Sequence, residues 1–187
     1  MNFSPSRSFA LELDSKDELA SFREQFIIAD PGLLYMDGNS LGRLPKAAVE
    51  RARQIVEDEW GRDLIRGWNK GWWEAPVRIG EKIGTLIGAA TGQVIVSDTT
   101  SVNLYKLVMA ALTCQPSRRR IITDQFNFPS DLYILQGAVQ SLGNRHEIVK
   151  IGSQDDGITP DLTALESAIN EDTALVTLSH VLFKSGY

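Results

Sequence analysis

From residue 76 onward, apolar positions alternate between two rhythms. Residues three and four apart predict helices, and short unbroken runs predict strands buried on both faces. Ile79, Ile83, Leu86, Ile87 and Ala90 share one helical face, with Gly80, Gly84 and Gly88 spaced by four so that a neighbour can approach closely. Leu104, Leu107, Val108 and Ala111 form the inner face of a second helix. Leu135, Ala138, Val139 and Leu142 form a third, ended by Gly143. Leu162, Leu165 and Ile169 follow Thr159-Pro160-Asp161, a helix start with Thr159 as cap and Pro160 in first position. Residues 94–96, 121–123, 146–151 and 174–181 predict strands. Strands and helices in turn give an α/β chain with a mostly parallel sheet and crossover helices.

Upstream the pattern is sparser. Residues 1–8 are polar and read as loose. Leu19, Phe22 and Phe26 predict a short amphipathic helix, Pro31-Gly32 breaks it, and residues 33–36 read as a short strand. Asp37-Gly-Asn-Ser-Leu-Gly42 then makes a tight loop of residues that tolerate positive φ or bond their own backbone. Pro45 opens a helix whose face runs through Val49, Ala52, Val56 and Trp60. Trp68, Trp72 and Trp73 lie within six residues between glycines. They are too much aromatic surface for a plain core and point to a pocket or a subunit contact.

Composition excludes more than it assigns. The 187 residues are 43% hydrophobic and 23% charged, with a net charge of −5, as in ordinary globular proteins and without a nucleic-acid footprint. The lone Cys114 has no disulfide partner in this chain and reads as a small core residue at the end of an apolar helix. No signal peptide or membrane-length apolar run occurs, so the expected location is cytoplasmic, with no membrane partner. The two histidines have no ligand-spaced partners, which predicts no metal, and His180 reads as a sheet residue. There is no Walker lysine loop, no dinucleotide fingerprint and no nucleophile elbow. The chain stops just after an apolar run, which suggests a truncated sequence.

What remains is a hydroxyl-rich turn, Ser97 to Ser101, between an apolar run and a helix. Free first-turn N–H groups and the helix dipole suit a phosphate there, although the turn taken alone reads more readily as Thr99, Thr100 and Ser101 capping the helix. A second polar loop offers Phe128 to stack on a flat ring and Asp131 to meet a polar ring atom. A phosphorylated, nitrogen-bearing aromatic cofactor such as pyridoxal phosphate fits that pair.

Four segments in order, Asp37–Gly42, Glu59-Trp60 to Trp73, Asp98-Thr-Thr-Ser-Val-Asn-Leu104 and Phe128-Pro-Ser-Asp131, resemble kynureninase, and its bacterial members most. The likeness covers nearly the whole chain from about residue 20. It implies a fold-type-I pyridoxal-phosphate enzyme, dimeric and cytoplasmic, of tryptophan degradation and NAD biosynthesis. Such an enzyme hydrolyses L-kynurenine to anthranilate and L-alanine, and 3-hydroxykynurenine to 3-hydroxyanthranilate. By the same resemblance Thr100 and Ser101 hold the phosphate, Phe128 stacks on the ring, and Pro129 and Ser130 shape the loop. Asp131 lies at the polar ring edge and Ser179 beside the cofactor. Ser40 and Trp68 match positions near the substrate, which in a dimer can be the neighbour's. The family's Schiff-base lysine falls beyond residue 187, matching neither Lys184 nor Lys106, so no catalytic residue is expected within the chain. Residues 1–75 then form an N-terminal segment with substrate-side loops, and residues 76–187 the first part of an incomplete cofactor-binding domain. The resemblance implies that the family's C-terminal small domain is not part of this sequence. The competing readings are a cysteine desulfurase relative, disfavoured by the tryptophans, and a non-catalytic truncated chain.

Overall fold

The computed structural model describes residues 3–187, in two compact units, Met1–Ala90 and Thr91–Tyr187. The second unit is α/β. Its three strands, β1 (Arg120–Asp124), β2 (Glu147–Ile151) and β3 (Thr173–Thr177), run parallel in the order β2-β1-β3. The three helices of this unit are numbered after those of the first: α4 (Thr100–Cys114), α5 (Pro129–Ser141) and α6 (Leu162–Ala168). β1 is paired on both edges, and its successive residues Ile121 and Ile122, which point to opposite faces, are both 0% exposed. Val108 and Leu112 of α4 pack with Ile121 and with Leu135, Ala138 and Val139 of α5 in one core. The crossover β1–α5–β2 builds one side of the sheet and β3 joins the other, so the order reverses at β1.

Within this unit the helix-period reading holds for α5 and the strand readings hold for β1, β2 and β3, with the last strand ending at Thr177 rather than 181. Residues 94–96 form no strand. They find no ladder partner among the described residues, and Ile95 is exposed. On α4 the buried row is Leu104, Val108 and Leu112, four apart, which turns Leu107 to solvent. Cys114, the last helical residue, is exposed rather than a core residue. His180 lies in an exposed bend past β3, not in the sheet. The cap of α6 is Asp161, which accepts from the Ala164 amide at 2.9 Å. Thr159 instead binds the Asp155 carboxylate at 2.6 Å. That carboxylate also accepts from the Ser153 hydroxyl and from the Ile158 and Thr159 amides, and these bonds, Ser153 first, hold its pKa far below the usual range.

The first unit is helical. It comprises α1 (Arg7–Ser15), a 3₁₀ turn Ala20–Gln25, α2 (Lys46–Gln54) continued by the π-helical turn Ile55–Trp60, a 3₁₀ helix Leu64–Lys70, and α3 (Ala75–Ile87). Ser6 caps α1 by accepting from the Phe9 amide, so Arg7 and Ser8 are helical rather than loose. The reading of Met1 and Asn2 lies outside the described residues. Pro45 caps α2 from outside rather than filling its first position. Residues 33–36 are not a strand. The expected helix around Phe22 is a single 3₁₀ helix. Gly80 and Gly84 are buried along α3, and Gly88 closes it at φ 72°.

Candidate functional site

Ligands of open parallel sheets bind at the carboxyl ends of the strands, where the strand order reverses. Here that place is the end of β1 beside the end of β3. The chain leaving β1 turns at Asp124, a buried carboxylate whose Oδ1 accepts from the Phe126 amide at 2.9 Å. It then reaches Asn127, which is 4% exposed and joins three elements. Its Nδ2 donates to Thr123 Oγ1 on β1 at 3.3 Å. Its Oδ1 accepts from the Phe128 amide at 2.8 Å and from the Ser179 hydroxyl, two residues beyond β3, at 2.5 Å. A buried amide with donor and acceptor both engaged fixes its own rotamer and the loops it bridges. The sequence carried no clear sign of this role, since an Asn ahead of Phe-Pro reads as an ordinary turn residue.

From Asn127 the four loop residues predicted from the sequence open α5. Phe128 is the cap position, Pro129 the first helical residue with φ pre-set, and Ser130 and Asp131 complete the first turn. Ser130 Oγ donates to Asp131 Oδ1 at 3.3 Å, and the Asp131 carboxylate also suits the helix dipole there. Phe128 is half-exposed, its ring edge-on to Phe183 at 5.0 Å and 66°. One flank of the ring is thus held while surface remains for a planar partner. A cavity of about 260 Å³ opens beside the loop, walled in part by Asn127, Pro129, Phe183 and Lys184.

The hydroxyl turn opens α4 as the sequence predicts. Thr99 is the cap, with Oγ1 accepting from the Val102 amide at 3.4 Å. Thr100 and Ser101 are the first two helical residues. Among the described residues neither their amides nor their hydroxyls find a protein partner, so the cap role falls to Thr99 alone. Asp98 sits at φ 35°, a left-handed conformation that costs a non-glycine residue energy. The loop is anchored to its own helix, Asp98 by Lys106 and Ser97, and the Ser97 carbonyl by Asn103 Nδ2 at 2.6 Å. The Lys106 ammonium, then the Ser97 hydroxyl, holds the Asp98 carboxyl below its usual range. Lys106 is thereby committed to an ion pair.

No hydrogen bond among the described residues joins Thr100 or Ser101 to the Phe128 loop. The structure unites Phe128 to Asp131 with Ser179, through Asn127, and presents the α4 start as a separate donor group of the same unit. The donor set still suits a phosphorylated ring: free N–H and hydroxyl groups at a helix start, and an open aromatic face with a carboxylate one turn on.

The two predicted substrate-side residues lie in the first unit. Ser40 Oγ donates to Asp37 Oδ1 at 2.7 Å, and the Tyr35 hydroxyl donates to the Leu41 carbonyl at 2.6 Å, closing the loop. Trp68 is half-exposed and meets Trp72 and Trp73 edge-on at 5.9 and 6.3 Å. Trp72 Nε1 donates to Glu59 Oε2 at 2.7 Å, and Arg51 binds the other carboxylate oxygen at 2.5 Å. These bonds, Arg51 first, lower the Glu59 pKa. Among the described residues no His, Cys, Asp and Glu group is arranged to hold a metal, and no helix is long and apolar enough to cross a membrane.

Known proteins match this chain closely. Kynureninase from Pseudomonas fluorescens is 44% identical over 97% of the chain, and kynureninases from Burkholderia pseudomallei strain 1106a and Burkholderia mallei strain SAVP1 are each 43% identical over the same share. Over nearly its whole length, the chain is kynureninase-like. It spans 43% of the length of each of these relatives. No family model matches it. The α/β architecture with a parallel sheet agrees with the fold-type-I class to which kynureninases belong.

Proposed function

We propose that this chain supplies the phosphate cup and ring-stacking loop of a pyridoxal-phosphate-dependent hydrolase of a C–C bond. The substrate is L-kynurenine, and also its 3-hydroxy form, and the products are anthranilate or 3-hydroxyanthranilate with L-alanine. The observation that carries the reading is the pairing of a partnerless donor pair, Thr100 and Ser101, with the Asn127-braced Phe128 loop in a chain 44% identical to a kynureninase. Thr100 and Ser101 hold the phosphate. Phe128 stacks on the ring, and Pro129, Ser130 and Asp131 set and face its polar edge. Ser179, bonded to Asn127 from beyond β3, lies beside the cofactor. When bound, the cofactor supplies an electron sink for negative charge developing on the amino-acid substrate. Ser40 and Trp68 serve the substrate, the aromatic cluster suiting an aryl ketone, in a cytoplasmic homodimer.

No lysine of this chain is assigned to carry the cofactor. Lys106 is paired with Asp98, and Lys184 lies over the Phe183 ring, its Nζ 5.7 Å from the ring centroid. Borohydride reduction after addition of pyridoxal phosphate, followed by peptide mapping, is expected to mark no single lysine stoichiometrically, and anthranilate should not form. Stoichiometric labelling of Lys184 or Lys106 with anthranilate production would refute that assignment. The cup itself is tested by phosphorus NMR titration of pyridoxal phosphate. Ser101→Ala should weaken binding by about 1.5–3 kcal/mol, and Phe128→Ala by about 0.5–1.5 kcal/mol. Unchanged affinity in both variants would remove the assignment.

A further inference from the structure

The amino ends of the strands, opposite the candidate cofactor site, hold a second cavity. It has a volume of about 480 Å³, within the range of small-molecule sites. Its walls are the end of α4 with the segment entering β1, and the end of α5 with the segment entering β2. These two entry segments bring Arg118 and Arg119 together with Arg145 and His146, and no carboxylate lines the space. That is an unusual concentration of cations in a chain of net charge −5.

The plain explanation is that these cations neutralise the carboxyl ends of α4 and α5. The magnitudes do not close on it. Two helix ends present about one negative charge between them, against three guanidinium groups. Nearby acids subtract little more. The Asp172 carboxylate accepts the Arg119 amide, and Glu147 faces Arg120 at 4.0 Å, but neither lines the cavity. Arg118 is partly committed, donating Nη1 to the Thr173 carbonyl at 3.0 Å. The guanidinium groups of Arg119 and Arg145 have no hydrogen-bond or ion-pair partner among the described residues. His146 Nδ1 is shielded from solvent and likewise lacks one. Two unpaired guanidinium groups in a wall without a carboxylate suit a ligand rich in oxygen acceptors.

We propose that this cavity is a second anion site, taking a phosphate or phosphomonoester group between the forks of Arg119 and Arg145 with Arg118 behind. Guanidinium forks match phosphate oxygens in geometry as well as charge. The five-residue strands place this site roughly 16 Å from the candidate cofactor loops, at about 3.3 Å per residue. It therefore does not depend on the cofactor reading.

The test is a titration of residues 1–187 with inorganic phosphate at constant ionic strength, reading the imidazole NMR signals of the two histidines. They are assigned with His146→Gln and His180→Gln. The expected result is a saturable shift of the His146 signals that chloride does not produce, with His180 unmoved. Arg119→Gln with Arg145→Gln should raise the apparent Kd at least about tenfold, as loss of charge-assisted bonds requires. If that double variant fails to fold, Arg145→Gln alone, at an exposed side chain, should raise the Kd by several-fold. Ser101→Ala should leave the His146 response unchanged, which separates this site from the cofactor cup. Absence of a saturable His146 shift, the same Kd in the arginine variants, or loss of the response with Ser101→Ala would overturn the proposal.

Discussion

The two units of this chain are stabilised differently. In residues 91–187 the central strand is covered on both sides, and Ile121, Ile122, Leu135 and Ala138 are all 0% exposed. In residues 1–90 only glycines are buried among the described residues, namely Gly67, Gly80 and Gly84. Leu34, Met36 and Leu86 are 86%, 89% and 86% exposed. What organises the first unit is polar and aromatic: the Arg51–Glu59–Trp72 chain, the Lys70–Asp63 pair at 2.6 Å, and edge-on tryptophans. Apolar patterning alone therefore does not mark where a chain has its own core. The sheet unit supplies its own cover, α4 and α5 packing on Ile121, whereas the amphipathic helices of residues 1–90 leave their apolar faces exposed.

The largest expected effect breaks this contrast if it fails. Leu135→Ala should destabilise the sheet unit by about 2–5 kcal/mol, while Leu86→Ala stays within about 0.5 kcal/mol. All four tryptophans lie in the first unit, so their fluorescence follows that unit and circular dichroism follows both. Urea melts of Leu135→Ala should lose coincidence between the two signals. Equal costs for the two leucine variants would mean that the first unit has a core after all.

Next comes Gly67→Ala. An added Cβ would sit 2.9 Å from the Trp72 ring, an overpacking worth about 1–3 kcal/mol. The tryptophan-detected midpoint should fall while the slowest-exchanging sheet amides keep their protection. Asn127→Ala is its counterpart in the second unit. Leaving the Phe128 amide and the Ser179 hydroxyl without their partner should cost about 1–3 kcal/mol, detected by circular dichroism rather than tryptophan fluorescence.

Much of the second unit was legible because its strands are short apolar runs and its helices carry a one-sided period. The Val94-Ile-Val96 run is as short and apolar as Ile121-Ile122 of β1, but pairing of a strand depends on a neighbouring edge, which no local pattern encodes. Leu107 and Cys114 were misread because the buried row on α4 follows the four-residue spacing Leu104, Val108, Leu112. In the candidate site, the free donors at Thr100 and Ser101 and the Phe-Pro-Ser-Asp helix start were legible as local chemistry. Asn127 was not, because its partners Thr123 and Ser179 are 4 and 52 residues away along the chain.

The smallest expected effect is with pH. Arg51 and then Trp72 hold the Glu59 pKa below its ordinary value, so the folded carboxylate binds its proton more weakly than the unfolded one. Its contribution is complete above the unfolded pKa and is lost as pH falls through the lowered folded value. In acid the tryptophan-detected midpoint should decline, and Glu59→Gln should decline less over the same window. Parallel pH profiles would show that the Glu59 network does not organise the first unit.

The most direct test of the account is native-state hydrogen exchange with and without pyridoxal phosphate. Without ligand, the slowest amides should be those of β1 and α5, around Ile121, Ile122 and Leu135. With ligand, new protection should appear at residues 100–102 and 127–131, both within the sheet unit. No protection at either segment, or protection confined to residues 1–90, would contradict it.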